Sequence, residues 1–158
     1  MKRREALKTF GAVAGSLAGA SLAPAAPAQP YKIALVMKAL SNPFFHTMQV
    51  GAEEEAQKLG VTLLVQGTNK ETDVTQQINI VQNFITQRVD ALVIAPASSS
   101  GLVPILFQAQ QQGIYVVNID NPLDEPVKKQ IGLTCPFVGS DNALGASLAA
   151  HDLVAAMG

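Results

Sequence analysis

The sequence has no tryptophan, two tyrosines, two histidines and one cysteine. A lone cysteine rules out an intrachain disulfide framework, so Cys135 reads as a small buried apolar residue. Charge is scarce too: 15% of residues are Asp, Glu, Lys or Arg and the formal net charge is −1. Apart from the first eight residues there is no Lys/Arg cluster, hence no electrostatic footprint for nucleic acid or an anionic membrane surface. Neither His46 nor His151 has a Cys, Asp or Glu at metal-ligand spacing. The chain contains no G-x-G-x-x-G and no P-loop, so a nucleotide phosphate finds no backbone cradle. It also lacks a G-x-S-x-G elbow; Ser98, Ser99 and Ser100 read as capping candidates for a helix. These absences leave no metal, no cofactor and no acid/base pair, and they argue against an enzyme.

What is present is apolar residues, 48% of 158. That supports one domain with its own core but hardly two complete ones.

Residues 1–28 look like an address. "MKRREALK" is basic, "TFGAVAGSLAGASL" is apolar and small, and "APAAPA" ends in an Ala26-Pro27-Ala28 pattern suited to cleavage. The apolar part falls short of the roughly 20 residues that span a bilayer. Arg3-Arg4-Glu5-Ala6-Leu7-Lys8 resembles the twin-arginine export motif, from which Lys2 and Ala6 depart. The alternative is an ordinary secretory n-region with two arginines. Either leader predicts a cleaved signal and a product in the periplasm, and no nearby cysteine offers a lipid anchor.

From Tyr31 onward, apolar runs alternate with helical patterns. "YKIALVM" (31–37), "VTLLVQ" (61–66), "ALVIA" (91–95) and "IYVVNI" (114–119) are nearly continuous, as in strands covered on both faces. Phe45, Met48, Ala52, Ala56 and Leu59 form one helical stripe, ended by Gly60. Glu53, Glu54 and Glu55 are adjacent and so point in different directions, which makes them a solvated face. Val74, Ile78, Val81 and Ile85 form a second stripe, opened by Asp73 and Gln76 as a capping-box variant. Leu102, Ile105, Leu106 and Ala109 form a third, ended by Gly113. This alternation predicts an α/β fold with a doubly wound parallel sheet.

Ligands of such sheets sit beyond the carboxyl ends of the strands. The candidate loops are therefore 38–45, 67–70, 96–100 and 120–124. They offer Lys38, Asn42, Phe44, Phe45 and Asp120, a set suited to a neutral polyol. Hydroxyls both donate and accept, so Asp, Asn and Lys hold them well, and the C–H faces of a sugar want flat rings. Singly, each stretch has a plainer explanation. Asp120-Asn121-Pro122 can be an Asx turn, and Asn42-Pro43 can be N-cap plus first helical residue. If Asn42 faces a ligand, Ser41 is expected to take the cap.

Together, "IALVMKALSNPFFHTMQVGAEEEAQKLGV", "ALVIAPASSSGLVPIL", "QQGIYVVNID" and "GSDNALGASLA" resemble the sugar-binding proteins of bacterial ABC transporters, the periplasmic family that includes ribose- and allose-binding proteins. Lys38 followed by Ala39-Leu40-Ser41 looks more like the allose branch, and Asn121 stands where ribose binders commonly carry arginine. The resemblance implies that Asn42 and Asp120 hydrogen-bond a pentose or hexose, that Phe44 and Phe45 stack on it, and that Lys38 donates to a hydroxyl. It implies a two-lobed protein, monomeric at full length, that closes over its monosaccharide and meets a membrane permease and its ATPase. On that pattern 29–138 is the first lobe, "GSDN" begins the first hinge crossing, and 139–158 is that crossing plus one helix of a second lobe that is otherwise missing. The chain then reads as an N-terminal fragment.

Three other readings compete. A transcription factor of the lac-repressor type would carry a basic helix-turn-helix where residues 1–28 stand. A receptor could present a sugar or furanosyl signal to chemotaxis or a sensor kinase. An exported α/β enzyme would need the cofactor cradle or acid/base pair that is absent.

Overall fold

The computed structural model describes residues 30–157; the expected export signal lies outside them. Five strands and five helices alternate: β1 Lys32–Met37, α1 Pro43–Leu59, β2 Thr62–Gly67, α2 Val74–Thr86, β3 Ala91–Ile94, α3 Val103–Gln111, β4 Tyr115–Ile119, α4 Glu125–Ile131, β5 Phe137–Val138 and α5 Asn142–Met157. All strand pairings are parallel and the order is β2-β1-β3-β4-β5. The first four strands thus lie where the apolar runs put them. The order reverses between β1 and β3, and at such a switch the loops part and open a crevice.

Side chains of β1 alternate between two cores. Ala34 and Val36 join the larger one, with Val81, Phe84, Leu102, Leu106 and Leu92. Leu35 and Met37 join a smaller one with Phe45 and Ala95. The second face is thinly coated. Helix α1 buries Phe45 and Ala56, Leu59 at the end of its stripe stays exposed, and an apolar trough of about 190 Å³ runs along Ile33, Leu35, Leu63 and Val93.

Local signals explain the helix ends. Gly60, at φ +67°, closes α1 by donating to the carbonyls of Ala56 and Gln57. Asp73 caps α2 by accepting from the Gln76 amide N–H. Only half of the expected box forms, because the Gln76 side-chain oxygen accepts from Asn69 N instead. The serines do not cap α3. Its N-cap is Leu102, without a side-chain bond, and Ser98 Oγ accepts from Gly101 N within the preceding turn. Helix α4, capped by Asp124, and the two-residue β5 were not among the predicted elements, and α5 has no buried residue. Among the described residues, no helix is long and apolar enough to cross a membrane.

Candidate functional site

Lys38 directly follows β1 and Asp120 directly follows β4, so the sheet delivers both to the same end. Lys38 Nζ donates to Asp120 Oδ2 at 3.2 Å across a sequence separation of 82. Lys38 is buried, its side chain 10% exposed, and its ammonium lies 5.5 Å from the centroid of the Phe45 ring, within cation–π range. A buried ammonium needs both partners, because an unpaired charge is costly to remove from water. Asp120 reaches this position with φ +63°, a left-handed conformation that costs a residue with a Cβ about 1 kcal/mol. Its backbone N–H donates to Val138 O at 3.3 Å, tying the strand end to β5.

The two phenylalanines differ. Their rings meet edge to face, centroids 5.2 Å apart at 76°. Phe44 is 54% exposed and Phe45 2%, so Phe44 offers a free face, whereas Phe45 sits in the smaller core as a support beneath Lys38.

Asn42 is the N-cap of α1: its Oδ1 accepts from Phe44 N at 3.0 Å. This corrects the expectation that Ser41 would take the cap; Asn42 is in extended backbone one residue before Pro43, where its side chain returns to the helix. Its Nδ2 donates to Glu71 Oε1 at 2.6 Å, joining the first loop to the β2–α2 loop. One amide hydrogen and one lone pair stay free to meet a ligand. Asn42→Ala is therefore expected to lower stability by about 1 kcal/mol through the cap alone, which thermal melting of the free chain will read.

Gly67, at the end of β2, lets the first loop approach. A Cβ there would stand 2.6 Å from Lys38 O and 2.7 Å from Leu40 Cγ, so only glycine fits.

Two buried amides frame these loops, and sequence reasoning passed over both. Gln77, fully buried on α2, donates through Nε2 to Met37 O at 3.3 Å and Ala95 O at 2.9 Å, and its Oε1 accepts from Ala97 N at 2.8 Å. It thereby clamps β1 to β3 at the switch point. Asn118 on β4 donates through Nδ2 to Asn121 O at 2.8 Å, with Ile119 O at 3.2 Å and Ile94 O at 3.4 Å, and its Oδ1 accepts from Leu123 N at 2.9 Å.

Elsewhere there is little competing chemistry. Burial raises the Cys135 thiol above its ordinary value, partly offset by the Lys128 charge, so it is a poor nucleophile at neutral pH. Among the described residues no cluster of His, Cys, Asp or Glu could hold a metal. A depression of about 710 Å³ lies at the opposite, amino end of the strands beside Arg88, Asp90 and Gly113. It is broad and open and distant from the Lys38–Asp120 pair, so its volume does not make it the site.

Fold and site together define a doubly wound parallel α/β unit whose polar and aromatic groups gather at the carboxyl ends of the strands beside the switch point. Residues 33–158 match the periplasmic binding protein domain, and the chain belongs to that family. It is 48% identical over 126 residues to a D-ribose/D-allose-binding protein of Pseudomonas aeruginosa, a match covering 77% of this chain and 39% of the relative. It is 37% identical to the D-allose-binding periplasmic protein of Escherichia coli, covering 84% and 43%. An ABC transporter periplasmic solute-binding protein of Actinobacillus succinogenes, solved with bound D-allose, superposes with a TM-score of 0.74 at 36% identity, covering 82% of this chain and 44% of that one. The chain spans about two fifths of the length of these relatives.

Proposed function

We propose that this chain forms the first lobe of the sugar-binding component of an ABC-type importer. On this reading residues 29–138 are the lobe, 139–158 are a hinge crossing and the first helix of a second lobe, and residues 1–28 direct export to the periplasm. The observation that carries the proposal is the Lys38–Asp120 pair held at the carboxyl ends of β1 and β4, beside the exposed Phe44 ring. Asp120 has further lone pairs for two adjacent hydroxyls, Lys38 further hydrogens for a third, and Phe44 a face for sugar C–H groups. Asn42 adds one donor from the rim. The relatives support the sugar class, since their names specify ribose and allose. A permease and its ATPase are the partners this role requires, and no step of it calls for a cofactor.

On this reading a single lobe is a half-site, open where a second lobe would close. The affinity follows. A micromolar two-lobed site corresponds to about −8 kcal/mol, and half of that is about −4, which is millimolar. Titration of the 158-residue chain with D-allose and D-ribose, followed by amide NMR shifts, is expected to saturate in the millimolar range with shifts at Lys38, Phe44 and Asp120. Submicromolar binding would overturn the half-site reading. No shift at saturating sugar would overturn the sugar class.

A further inference from the structure

We infer that Asn118 is a positioning residue that holds Asp120 in its left-handed conformation and so aims the carboxylate at Lys38. This rests on the sugar-binding reading only for its consequence; the positioning itself is a property of the chain.

Asn118 is a polar residue in the middle of an apolar strand, buried as completely as Val116 two positions earlier on the same face. A side chain there is retained only if its polar atoms are paired. Its partners are unevenly placed. One anchor, Ile94 O, lies on the neighbouring strand and one, Ile119 O, at the end of β4 itself, whereas Asn121 O and Leu123 N belong to the turn that follows. The shortest two contacts, Asn121 O at 2.8 Å and Leu123 N at 2.9 Å, lie just beyond Asp120. Asn118 therefore closes two rings of backbone, to Asn121 and to Leu123, and Asp120 lies inside both. The orientation of its amide is fixed, since the oxygen meets an N–H and the nitrogen meets carbonyls. Within these rings Asp120 takes φ +63°, which the chain would leave if the bracket opened, because the extended region is sterically easier for a residue with a Cβ. From an extended backbone the carboxylate would point elsewhere and Lys38 would lose its counter-charge. The hydrogen bonds of Gln77 go to Met37, Ala95 and Ala97, so the two amides divide the work: one sets the β1 and β3 ends, the other sets Asp120.

The test uses the intact 158-residue chain with isotope labelling. Asn118→Leu keeps the volume and removes every polar contact; Asn118→Asp, the milder variant should the first not fold, keeps an acceptor for Leu123 N and loses the donors. Backbone couplings and Cα shifts at Asp120 report its φ, and the Lys38 ammonium and Asp120 carboxyl signals report the pair. Expected are loss of the left-handed signature at Asp120, loss of the pair, and at least a tenfold weaker response to D-allose, in whichever variant is folded. A general loss of stability would not by itself move φ at one residue. Unchanged Asp120 couplings with the pair intact would overturn the inference. If wild-type chain fails to respond to sugar while the variant shifts Asp120, the positioning stands and the sugar reading alone falls.

Discussion

Asp120→Asn is expected to abolish measurable sugar binding by the chain while leaving it folded. Asparagine keeps the shape and is among the few residues that tolerate left-handed backbone, so the substitution removes charge and little else. A hydrogen bond to a charged group contributes about 1.5–3 kcal/mol, and a tenfold or greater loss from millimolar affinity leaves no saturable signal. The lobe also loses the counter-charge of Lys38, whose Nζ lies 3.2 Å from the carboxylate. That is expected to cost about 1–3 kcal/mol, below the range for fully buried pairs because both side chains retain some exposure. Calorimetric titration and a melting curve on the same sample separate the two effects. Binding that persists at wild-type strength would remove Asp120 from the site. Alanine would be a poorer choice, since it adds left-handed strain to the loss of the carboxylate.

Gln77→Leu is expected to be the most destabilising change near the site. The substitution keeps roughly the same volume in a fully buried position but leaves Met37 O, Ala95 O and Ala97 N without their partner. Unpaired buried groups cost about 1–3 kcal/mol each, and partial relaxation makes about 3 kcal/mol a fair sum. For a domain of this size that is a fall of about 10 °C in Tm. A shift under about 2 °C would mean that water or backbone movement replaces the clamp, and that the switch point does not depend on it.

The contrast between these residues and the loops explains what could be read from sequence. Strands β1 to β4 and the stripes of α1 to α3 declare themselves because apolar residues recur at the spacing of the element. The chain order of strand and helix then fixes the sheet, and the sheet fixes which loops meet. Lys38 and Asp120, 82 residues apart, could be paired as candidates on that ground alone. Helix α4, seven residues, and β5, two residues, are too short for periodicity to register. Gln77 and Asn118 escaped because glutamine and asparagine are read as solvent-facing by type. Position was the available signal: Gln77 lies three residues after Val74 and four before Val81, inside the stripe, and Asn118 lies two after Val116 on one strand face. The division between Phe44 and Phe45 was legible in part, because the apolar stripe takes Phe45 with Met48, Ala52 and Ala56 and leaves Phe44 off it. Two adjacent helical residues point about 100° apart, so the stripe that covers one leaves the other out, and the resemblance that assigned both rings to the sugar ran against it.

The short strand β5 brings one more property to the site. Asp120 N donates to the carbonyl of Val138, the last residue of the sheet, and four residues later the chain enters α5, none of whose residues is buried. Residue 120 therefore stands one hydrogen bond from the point where the polypeptide leaves the sheet. A displacement of the Asp120 backbone would reach the strand that leads out of the sheet through that one hydrogen bond, without crossing the core.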